Sequence, residues 1–575
     1  MLGSCGAEET GALLSEYMRR IAPAIWPVLL TAVITGPLLA PGFVVSYDMV
    51  FVPDLSVRLD LFGVSAAMPR AVPSDVVVAV LDELGGGQLL NKAVLVAIPL
   101  LAGLGMTVLW RELRLGGWPA GAAATTLYVW NPFVAERLRL GAWALLLGYA
   151  ALPWLVRGAI RLREGRGWAG FVLASALCAL TASGGVVGLL VSGVVLRWRP
   201  GAYSRWPLGV ALLLNAPWLV AGITHSGLAT DGASVSAFAA RDEGYGGTLP
   251  TLLTLGGVWN ADVVPAGRGE PLTVVLVFAM LLMSLAGVWL WWRRDHFAGA
   301  LVVPAIVALL IALAGVVVPG LFAQVVQHVP GAGLFRDGQR YLAPLVLLEA
   351  IGFGVATAWL QDHVRPKVVV GLTTALLPVA ALPALAGGAG LHVSHYPDDW
   401  RQAKQAVAGR FIPWPFEAYR APSWNGYRPV LDPMPRYFGA QPSIVPDELI
   451  VGGRRLGGED PQAADIASAL RSGTDPAPVL LRNGVGWIVV DRAAGGPAPD
   501  TLIRGLTKRF EGPTVAVYQV AGTPIPQQPP VWRTVSVLLA WGVAVLTLLL
   551  ALVSVGRRCY SSVHLIGRGR FSWDR

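Results

Sequence analysis

The sequence is poor in charged residues and in cysteines, and both shortages restrict the kind of protein it can encode. Only 14% of the 575 residues are charged, 54% are hydrophobic and the mean hydropathy is +0.58, values too apolar for a soluble domain. Cys5, Cys178 and Cys559 lie far apart, so no disulfide framework or metal-binding spacing is present. No phosphate-binding loop, dinucleotide fingerprint, zinc motif or nucleophile elbow occurs, which argues against a nucleotide-driven pump and a soluble-type hydrolase. The composition predicts a polytopic α-helical membrane protein.

The positive charge of the chain does not indicate nucleic acid as a partner. The formal net charge is +9, but the basic residues fall in short clusters between apolar runs and not along one patch. Basic residues that keep short loops in the cytoplasm account for this distribution. We therefore expect a lipid bilayer, and no nucleic acid, around the chain.

Twelve apolar runs approach the length of about 20 residues that the hydrocarbon core requires. They lie at 24–42, 93–110, 118–131, 141–156, 169–183, 184–197, 206–223, 272–292, 298–318, 341–360, 368–387 and 533–555. Basic residues flank the first and last runs and occupy alternate connections, which the positive-inside rule places in the cytoplasm: Arg19, Arg20, Arg111, Arg114, Arg157, Arg161, Arg163, Arg166, Arg197, Arg199, Arg205, Arg293, Arg294, Arg365, Lys367, Arg557, Arg558, Arg568 and Arg570. The pattern predicts a multi-pass plasma-membrane protein with both termini cytoplasmic. The first run lacks a cleavage site of small residues and is expected to be a retained span.

With this orientation the long connections all fall on the extracytoplasmic side, at 43–92, 132–140, 224–271, 319–340 and 388–532. The cytoplasmic connections are barely longer than a turn. An alternating-access transporter would usually show two related halves, and no internal repeat is visible. The predicted organisation is a transmembrane bundle with outer loops at 1–387, a small extracytoplasmic α/β domain at 388–532, and a last helix with a basic cytoplasmic tail at 533–575.

Local patterns within 388–532 support the α/β assignment of that segment. Amphipathic spacing predicts helices after Pro397, at 461–471 and at 500–510. Short β-branched runs bounded by Gly, Pro or Asp predict strands at 479–481, 486–491 and 514–520.

The stretch 411–441 of the same segment is rich in Trp, Tyr, Pro and Arg. Sugar rings pack on aromatic faces, and aromatic residues are enriched at binding surfaces. Trp414, Trp424 and Tyr427 are therefore candidate contacts for an acceptor glycan. The alternative is an irregular loop that packs against the membrane domain.

Asp48 follows the first apolar run by a few residues, in a loop too apolar to be an ordinary solvated connection. A carboxylate positioned in a partly desolvated loop is suited to remove the proton of a hydroxyl group. Asp48 is therefore a candidate catalytic base. The alternative is a helix cap or an interfacial residue that reaches water.

The second outer loop is short and dense in polar side chains that follow Trp130. Glu136 is expected to face the same outer surface as Asp48, and Arg137 and Arg139 offer forked donors that suit phosphate. The alternative is a salt bridge in an outer loop that orients two helices.

Arg336 and Arg340 stand four residues apart where the chain enters the tenth predicted span. At a helix start, two guanidinium groups and the N-terminal amides form a phosphate site by charge and dipole together. Arginines at outer helix ends can also simply reach lipid headgroups. Glu349 lies about 12 Å further along this helix, in the apolar layer, where a carboxyl group is costly and usually has a partner.

The loop 224–271 contains Asp242 and Glu243, which could contribute to a weak divalent-cation site. No ligand spacing singles out such a site, and a solvated loop is the alternative. The sequence leaves the metal open.

These features together resemble the GT-C membrane glycosyltransferases. Three segments are similar to those of actinobacterial cell-envelope arabinofuranosyl- and mannosyltransferases: Trp130-Asn-Pro-Phe-Val-Ala-Glu-Arg137, Phe335-Arg-Asp-Gly-Gln-Arg340 and Gly486-Trp-Ile-Val-Val-Asp491. The architectural likeness covers nearly the whole chain. One departure is that a single Asp48, and not an adjacent acidic pair, follows the first span.

The resemblance implies that a sugar passes from a polyprenyl-phosphate donor to a cell-envelope glycan or glycolipid at the outer face of the membrane. Asp48 would be the base, and Glu136 would orient the acceptor or a divalent cation such as Mg²⁺ or Mn²⁺. The implied donor site comprises Trp130, Arg137, Arg139, Arg336 and Arg340. The alternatives are a non-catalytic membrane protein that binds or exports envelope lipid or glycan, and a scaffold for its assembly.

Overall fold

The structure is a computed structural model that describes residues 23–65, 69, 71–198, 206–225, 231–451, 454–473 and 475–568, without the side chains at 454–455 and 554–568. Five of the arginines used to predict the topology lie outside the described residues: Arg19, Arg20, Arg199, Arg205 and Arg570. Cys5 also lies outside them. The side chains of Arg557, Arg558 and Arg568 in the final helix are likewise not described, so the cytoplasmic placement of both termini stays a prediction.

Helices dominate the described chain. The first seventeen are α1 (Pro23–Leu39), α2 (Ser74–Gly85), α3 (Gly87–Leu113), α4 (Trp118–Val129), α5 (Pro132–Arg139), α6 (Trp143–Leu162), α7 (Trp168–Cys178), α8 (Ala182–Arg197), α9 (Trp206–Leu214), α10 (Ala216–Thr224), α11 (Ser234–Ala237), α12 (Thr248–Leu253), α13 (Pro271–Arg294), α14 (Gly299–Val317), α15 (Pro319–His328), α16 (Ala343–His363) and α17 (Lys367–Ala381). The remaining helices are α18 (Asp399–Ala406), α19 (Met434–Tyr437), α20 (Pro461–Ser472), α21 (Ala477–Arg482), α22 (Arg492–Gly495), α23 (Asp500–Ile503) and α24 (Val531–Arg568).

Ten short strands complete the secondary structure. They are β1 (Phe43–Val44), β2 (Val393–Ser394), β3 (Phe411–Trp414), β4 (Tyr419–Arg420), β5 (Val430–Leu431), β6 (Leu449–Val451), β7 (Arg454–Leu456), β8 (Trp487–Asp491), β9 (Thr507–Glu511) and β10 (Val515–Gln519). All but β1 follow α17, so the strands are concentrated in the segment between α17 and α24.

The apolar helices make the chain a multi-pass membrane protein. Among the described residues six helices are long and apolar enough to cross a membrane: α3, α6, α13, α14 with the short turn before it (His296–Val317), α16, and Val531–Val553 of α24. A seventh span results if α9 and α10, which meet at 59°, count as one broken helix. Each of the twelve predicted runs coincides with a helix, but several of these helices are short, so twelve crossings stay a prediction.

Two glycines allow α13 and α16 to pack closely. A Cβ atom at Gly287 would lie 1.8 Å from the carbonyl oxygen of Gly352, and one at Gly352 would lie 2.2 Å from the carbonyl oxygen of Ser284. Close helix contact through small residues is the usual way in which membrane helices associate. The close contact fixes α16, and with it the loop that leads into α16.

The segment between α17 and α24 contains a mixed four-stranded sheet with the order β3-β8-β10-β9. Strand β3 is parallel to β8, and the other neighbours are antiparallel. The predicted helix at 461–471 and the predicted strands at 486–491 and 514–520 are confirmed as α20, β8 and β10. The sheet, flanked by helices, gives the segment an α/β structure, although its side of the membrane is not determined.

Two predictions within this segment are wrong. Residues 479–481 belong to helix α21 and not to a strand, because Pro476 and Asp475 start a helix in which the apolar run provides the buried face. The predicted helix at 500–510 ends at Ile503, and the chain continues as strand β9. Short apolar runs do not distinguish a strand from a helix by periodicity alone.

A buried ion-pair cluster joins strand β4 to the sheet. The Arg420 guanidinium lies 3.0 Å from the carboxylate of Asp432 and 3.4 Å from that of Asp491, and all three side chains are at most 1% exposed. Burial raises the pKa of Asp432 to about 6, against the opposing effect of Arg420. Arg420 is therefore needed to compensate two carboxylates that have left water.

We predict that Arg420→Met destabilises the protein by about 3–5 kcal/mol, the scale for a buried ion-pair network that loses one partner. The matched control is Arg482→Met, which removes an arginine 61% exposed and 3.1 Å from Asp465. An exposed pair of this kind contributes at most about 1 kcal/mol. Unfolding of the purified protein in detergent would measure both effects, and equal melting temperatures for the two variants would contradict the role of Arg420.

Candidate functional site

Asp48 lies in a tight turn that follows strand β1. The Met49 amide donates to the Ser46 carbonyl at 2.8 Å across the turn. Tyr47 has a left-handed φ of 41°, a conformation that costs a non-glycine residue of order 1–2 kcal/mol. Strained backbone of this kind is typical of functional sites. The half-buried Asp48 side chain is therefore presented by a turn whose geometry the surroundings must maintain.

Two distant parts of the chain hold this turn by main-chain hydrogen bonds. On one side, the Tyr47 amide donates to Pro429 at 3.0 Å, and the Leu431 amide donates to the Tyr47 carbonyl at 2.9 Å. On the other side, the Asp48 amide donates to the Leu140 carbonyl at 3.2 Å. The first outer loop, the loop after α5 and strand β5 therefore meet at Asp48.

Gly141 makes this meeting possible. It has a φ of +74°, and a Cβ atom there would lie 2.2 Å from the Met49 nitrogen and 2.2 Å from the Ser46 oxygen. The Ser46 hydroxyl also donates to the Arg139 carbonyl at 2.6 Å. The turn is thus packed against the end of α5 with no room for a side chain between them.

The Asp48 carboxylate accepts a hydrogen bond from the Tyr419 hydroxyl at 2.5 Å. Arg340 belongs to the same neighbourhood, although it forms its ion pair with Asp337. The pKa of the Arg340 guanidinium is raised chiefly by Asp337 and then by Asp48 and Tyr419. Asp48 and Arg340, predicted from separate parts of the sequence, therefore lie within electrostatic range of each other.

Arg336 and Arg340 do not form the predicted pair at a helix start. They lie on or beside two short 3-10 turns, at Ala332–Phe335 and Gly338–Tyr341, that precede α16. Arg336 lies 3.1 Å from Glu459, whereas the Arg340 side chain is 40% exposed. Of the two, Arg340 remains available to an anion beside Asp48.

The structure corrects the expected placement of Glu136. Its side chain is 0% exposed and does not face the outer surface, because α5 lies inside the protein. Arg137 lies 2.8 Å from Glu136, donates to the Gln339 carbonyl at 3.0 Å and stacks 4.7 Å from the Phe133 ring. This pair matches the alternative of a salt bridge that orients neighbouring elements.

A second buried pair lies beside the first and was not predicted. Glu243 and Arg268 are 2.7 Å apart, with side chains at most 2% exposed. Burial raises the pKa of Glu136 well above its usual range, and the nearby Glu243 carboxyl raises it further. Asp242 and Glu243 had been considered as cation ligands, but the structure shows Glu243 held by Arg268 and by the amides of Gly257 and Val258.

Arg139 and Trp130 also serve internal contacts. Arg139 donates to the carbonyls of Val264 and Asp262 at 3.0 and 2.7 Å. The Trp130 indole is 1% exposed and donates to the Leu382 carbonyl at 2.8 Å. The Trp130-Asn-Pro segment begins α5, because the Asn131 side chain caps the Val134 amide and Pro132 fits the first helical position.

The three aromatic candidates for glycan contact differ in exposure. Trp424 packs in an aromatic cluster with Tyr396, at 4.9 Å between ring centroids, and Trp400, at 5.9 Å. Trp414 lies on β3 and packs partly buried against the sheet core. Tyr427 is 72% exposed, and it lies two residues before Pro429 in the segment that holds the Asp48 turn.

A small cavity lies between α4, α13 and α17, with Trp130, Met280, Leu382 and Glu349 among its lining residues. Glu349 is 4% exposed, and one of its carboxyl oxygens has no hydrogen-bond partner among the described residues. Within the described part of the chain no cluster of three or more His, Cys, Asp or Glu side chains could hold a metal ion.

Comparison with known proteins identifies the fold. The structure of the arabinofuranosyltransferase AftD from Mycobacteria matches with a TM-score of 0.56 and 17% identity, covering 88% of this chain and 42% of that chain. This chain shares its fold with that arabinofuranosyltransferase structure, which agrees with the predicted resemblance to GT-C proteins. It spans less than half the length of the arabinofuranosyltransferase.

Two structures of the Archaeoglobus fulgidus oligosaccharyltransferase match more weakly. One has a TM-score of 0.42 and 12% identity, covering 89% of this chain and 75% of that chain. The other has a TM-score of 0.37 and 14% identity, covering 87% of this chain and 69% of that chain. A similarity at this level supports no further conclusion about the fold. Neither a protein-family model nor a curated protein sequence matches the chain.

We predict that Gly141→Ala destabilises the protein more than Gly165→Ala. Both glycines have left-handed φ angles, +74° and +72°, but a Cβ atom at Gly165 meets nothing within 4 Å. Both variants therefore lose about 1–2 kcal/mol through backbone strain, and only Gly141→Ala also disrupts the Asp48 turn. Melting temperatures in detergent measure the difference, and equal values would show that the turn tolerates displacement.

Proposed function

We propose that this chain transfers a sugar from a polyprenyl-phosphate donor to a hydroxyl group of a cell-envelope glycan or glycolipid at the extracytoplasmic face of the membrane. The observation that carries the proposal is the Asp48 carboxylate, which a strained turn presents and the Tyr419 hydroxyl contacts at 2.5 Å, within electrostatic range of the Arg340 guanidinium. Glycosyl transfer from a phosphate ester requires a base and an anion-binding group in one site. The GT-C fold is consistent with this chemistry.

In the proposed reaction Asp48 accepts the proton of the acceptor hydroxyl. The acceptor oxygen attacks the anomeric carbon of the donor sugar, and the bond from that carbon to the phosphate oxygen breaks. The electron pair of this bond leaves with the polyprenyl phosphate. Attack from the side opposite the leaving phosphate inverts the configuration at the anomeric carbon.

Arg340 stabilises the leaving phosphate in this scheme. Its guanidinium is partly exposed, and a fork of donors matches phosphate oxygens. A positive group placed where negative charge develops lowers the barrier more than one that binds the ground state equally well. The ion pair with Asp337 fixes the guanidinium before the donor arrives.

Other predicted donor residues take a different role in this proposal. Glu136 and Arg137 are buried together and hold α5 against the loop of Gln339. Because α5 ends beside the Asp48 turn, these residues fix the position of the helix end that packs on the turn. They do not contact the substrate in this proposal. Glu136 and Glu243 do not fit a divalent-cation site, since Glu136 faces Arg137 and Glu243 is held by Arg268.

The acceptor is proposed to approach past Tyr427. This tyrosine is exposed, has a left-handed φ of 57°, and lies in the segment whose Pro429 and Leu431 pair with Tyr47. An exposed aromatic ring in this segment would provide a packing surface for a sugar ring. Because the matching structure is that of an arabinofuranosyltransferase, an arabinofuranosyl donor is the first to test and a mannosyl donor the second.

We predict that Asp48→Asn reduces sugar transfer by about 10²–10⁴-fold, the usual contribution of a general base. The matched control is Asp54→Asn in the same loop, because Asp54 is 64% exposed and pairs with Lys404 at 2.7 Å. The control should retain wild-type activity. Transfer of labelled sugar from a polyprenyl-phosphate donor, in membranes that contain each variant, measures both.

Two results would contradict the proposed function. One is wild-type activity in Asp48→Asn. The other is the absence of transfer by the wild-type protein with either donor, together with accumulation of lipid-linked sugar on the inner leaflet in a deletion strain. The second result would favour the alternative of a protein that exports envelope lipid or glycan.

A further inference from the structure

Tyr419 reaches Asp48 from a part of the chain 371 residues away. It lies on strand β4, in the segment between α17 and α24, and its hydroxyl donates to the Oδ1 atom of Asp48 at 2.5 Å. The Tyr47 and Tyr419 rings are also in contact, with 6.0 Å between their centroids. The phenol therefore contacts both the turn and the carboxylate that the turn presents.

The backbone on either side of Tyr419 is anchored. The next residue, Arg420, is buried in its ion pairs with Asp432 and Asp491. The preceding residue, Ala418, accepts a hydrogen bond from the Asp432 amide at 2.9 Å. The ring of Tyr419 is thus held at a fixed distance from Asp48 by the interior of the α/β segment.

Strand β4 is also tied to the Asp48 turn itself. Tyr419 pairs with Leu431 in the antiparallel β4–β5 ladder. The Leu431 amide donates to the Tyr47 carbonyl at 2.9 Å, and Val430 forms a parallel bridge with Tyr47. The hydroxyl and the carboxylate therefore belong to one hydrogen-bonded unit, and they keep their relation if the segment shifts on the membrane domain.

A hydroxyl that donates to one carboxylate oxygen determines how the carboxylate is turned. An aspartate carboxylate rotates about its terminal torsion in a broad, roughly two-fold potential. With Oδ1 held by Tyr419, the plane of the group is set and Oδ2 is left to meet a second hydroxyl. In general-base chemistry the geometry of that second contact governs the rate.

We infer that Tyr419 is a positioning residue for the proposed transfer, whose phenol orients the Asp48 carboxylate so that Oδ2 receives the proton of the acceptor. The inference rests on the proposed function of Asp48. It assigns to the α/β segment a direct part in the site, through one side chain. Tyr419 does not bind substrate in this scheme and does not itself accept a proton.

The test uses Tyr419→Phe, which removes only the hydroxyl oxygen. We expect kcat to fall about 10–100-fold, the range for loss of a group that holds reactants in place, with KM for the polyprenyl-phosphate donor changed by less than about twofold. The donor is bound through its phosphate and not through Asp48, so a positioning role predicts this split. Labelled sugar transfer by the purified protein, at varied donor concentrations, measures both constants.

The matched control is Tyr396→Phe. The Tyr396 hydroxyl likewise joins the α/β segment to the first outer loop, since it donates to the Phe51 carbonyl at 2.8 Å. The Tyr396 hydroxyl bonds to Phe51 and not to Asp48, so its removal should leave kcat unchanged. The two variants should have similar melting temperatures, and a fall in kcat restricted to Tyr419→Phe then reports orientation of Asp48 and not loss of a tether.

A double variant separates this inference from the proposed function. If Tyr419 acts through Asp48, adding Tyr419→Phe to Asp48→Asn should cause no further loss of transfer, because interacting residues are non-additive. An unchanged kcat in Tyr419→Phe, an equal fall in Tyr396→Phe, or additive effects in the double variant would each overturn the role of Tyr419. Wild-type transfer by Asp48→Asn would instead overturn the proposed function itself.

Discussion

The arrangement of the site depends on the main-chain hydrogen bonds that hold the Asp48 turn between two distant parts of the chain. Tyr47 is bonded on both its amide and its carbonyl to the segment around Pro429 and Leu431, while the Asp48 amide is bonded to Leu140. Backbone groups are obligatory hydrogen-bonding partners, and their loss in a buried place is expensive. The left-handed conformation of Tyr47 persists because both neighbours hold it. The α/β segment is therefore a structural part of the candidate site, since its residues Pro429 and Leu431 bond to Tyr47.

Charge is distributed in this protein according to exposure. The fully buried carboxylates of Glu136 and Glu243 each have an arginine beside them, and Asp432 shares Arg420 with Asp491. Such pairs repay their desolvation only with good geometry, so they fix the elements that carry them. Arg340 also has a carboxylate beside it, that of Asp337, but 40% of its side chain is exposed. Among these ion pairs, Arg340 is therefore the arginine most accessible to an anion.

The sequence predicted the helical bundle well because long apolar runs have few alternatives in a membrane protein. All twelve runs coincide with helices, and the sequence patterns indicate both Asp48 and Arg340 as candidate site residues. The direction of the side chains on α5 was not predictable. Residues 132–140 were predicted as an outer loop, whereas burial of 132–138 turned Glu136 and Arg137 towards each other. Tyr419 lies in the aromatic-rich stretch 411–441, but nothing local predicts its contact with Asp48, which is 371 residues distant.

A structure of the purified protein in nanodiscs with a polyprenyl monophosphate would show whether Asp48 and Arg340 face one bound donor. We expect density for the phosphate against the Arg340 guanidinium, on the side that faces Asp48, with the prenyl chain leading into the membrane. Phosphate bound away from Arg340, with Asp48 on the opposite side of the bundle from it, would disprove a shared site.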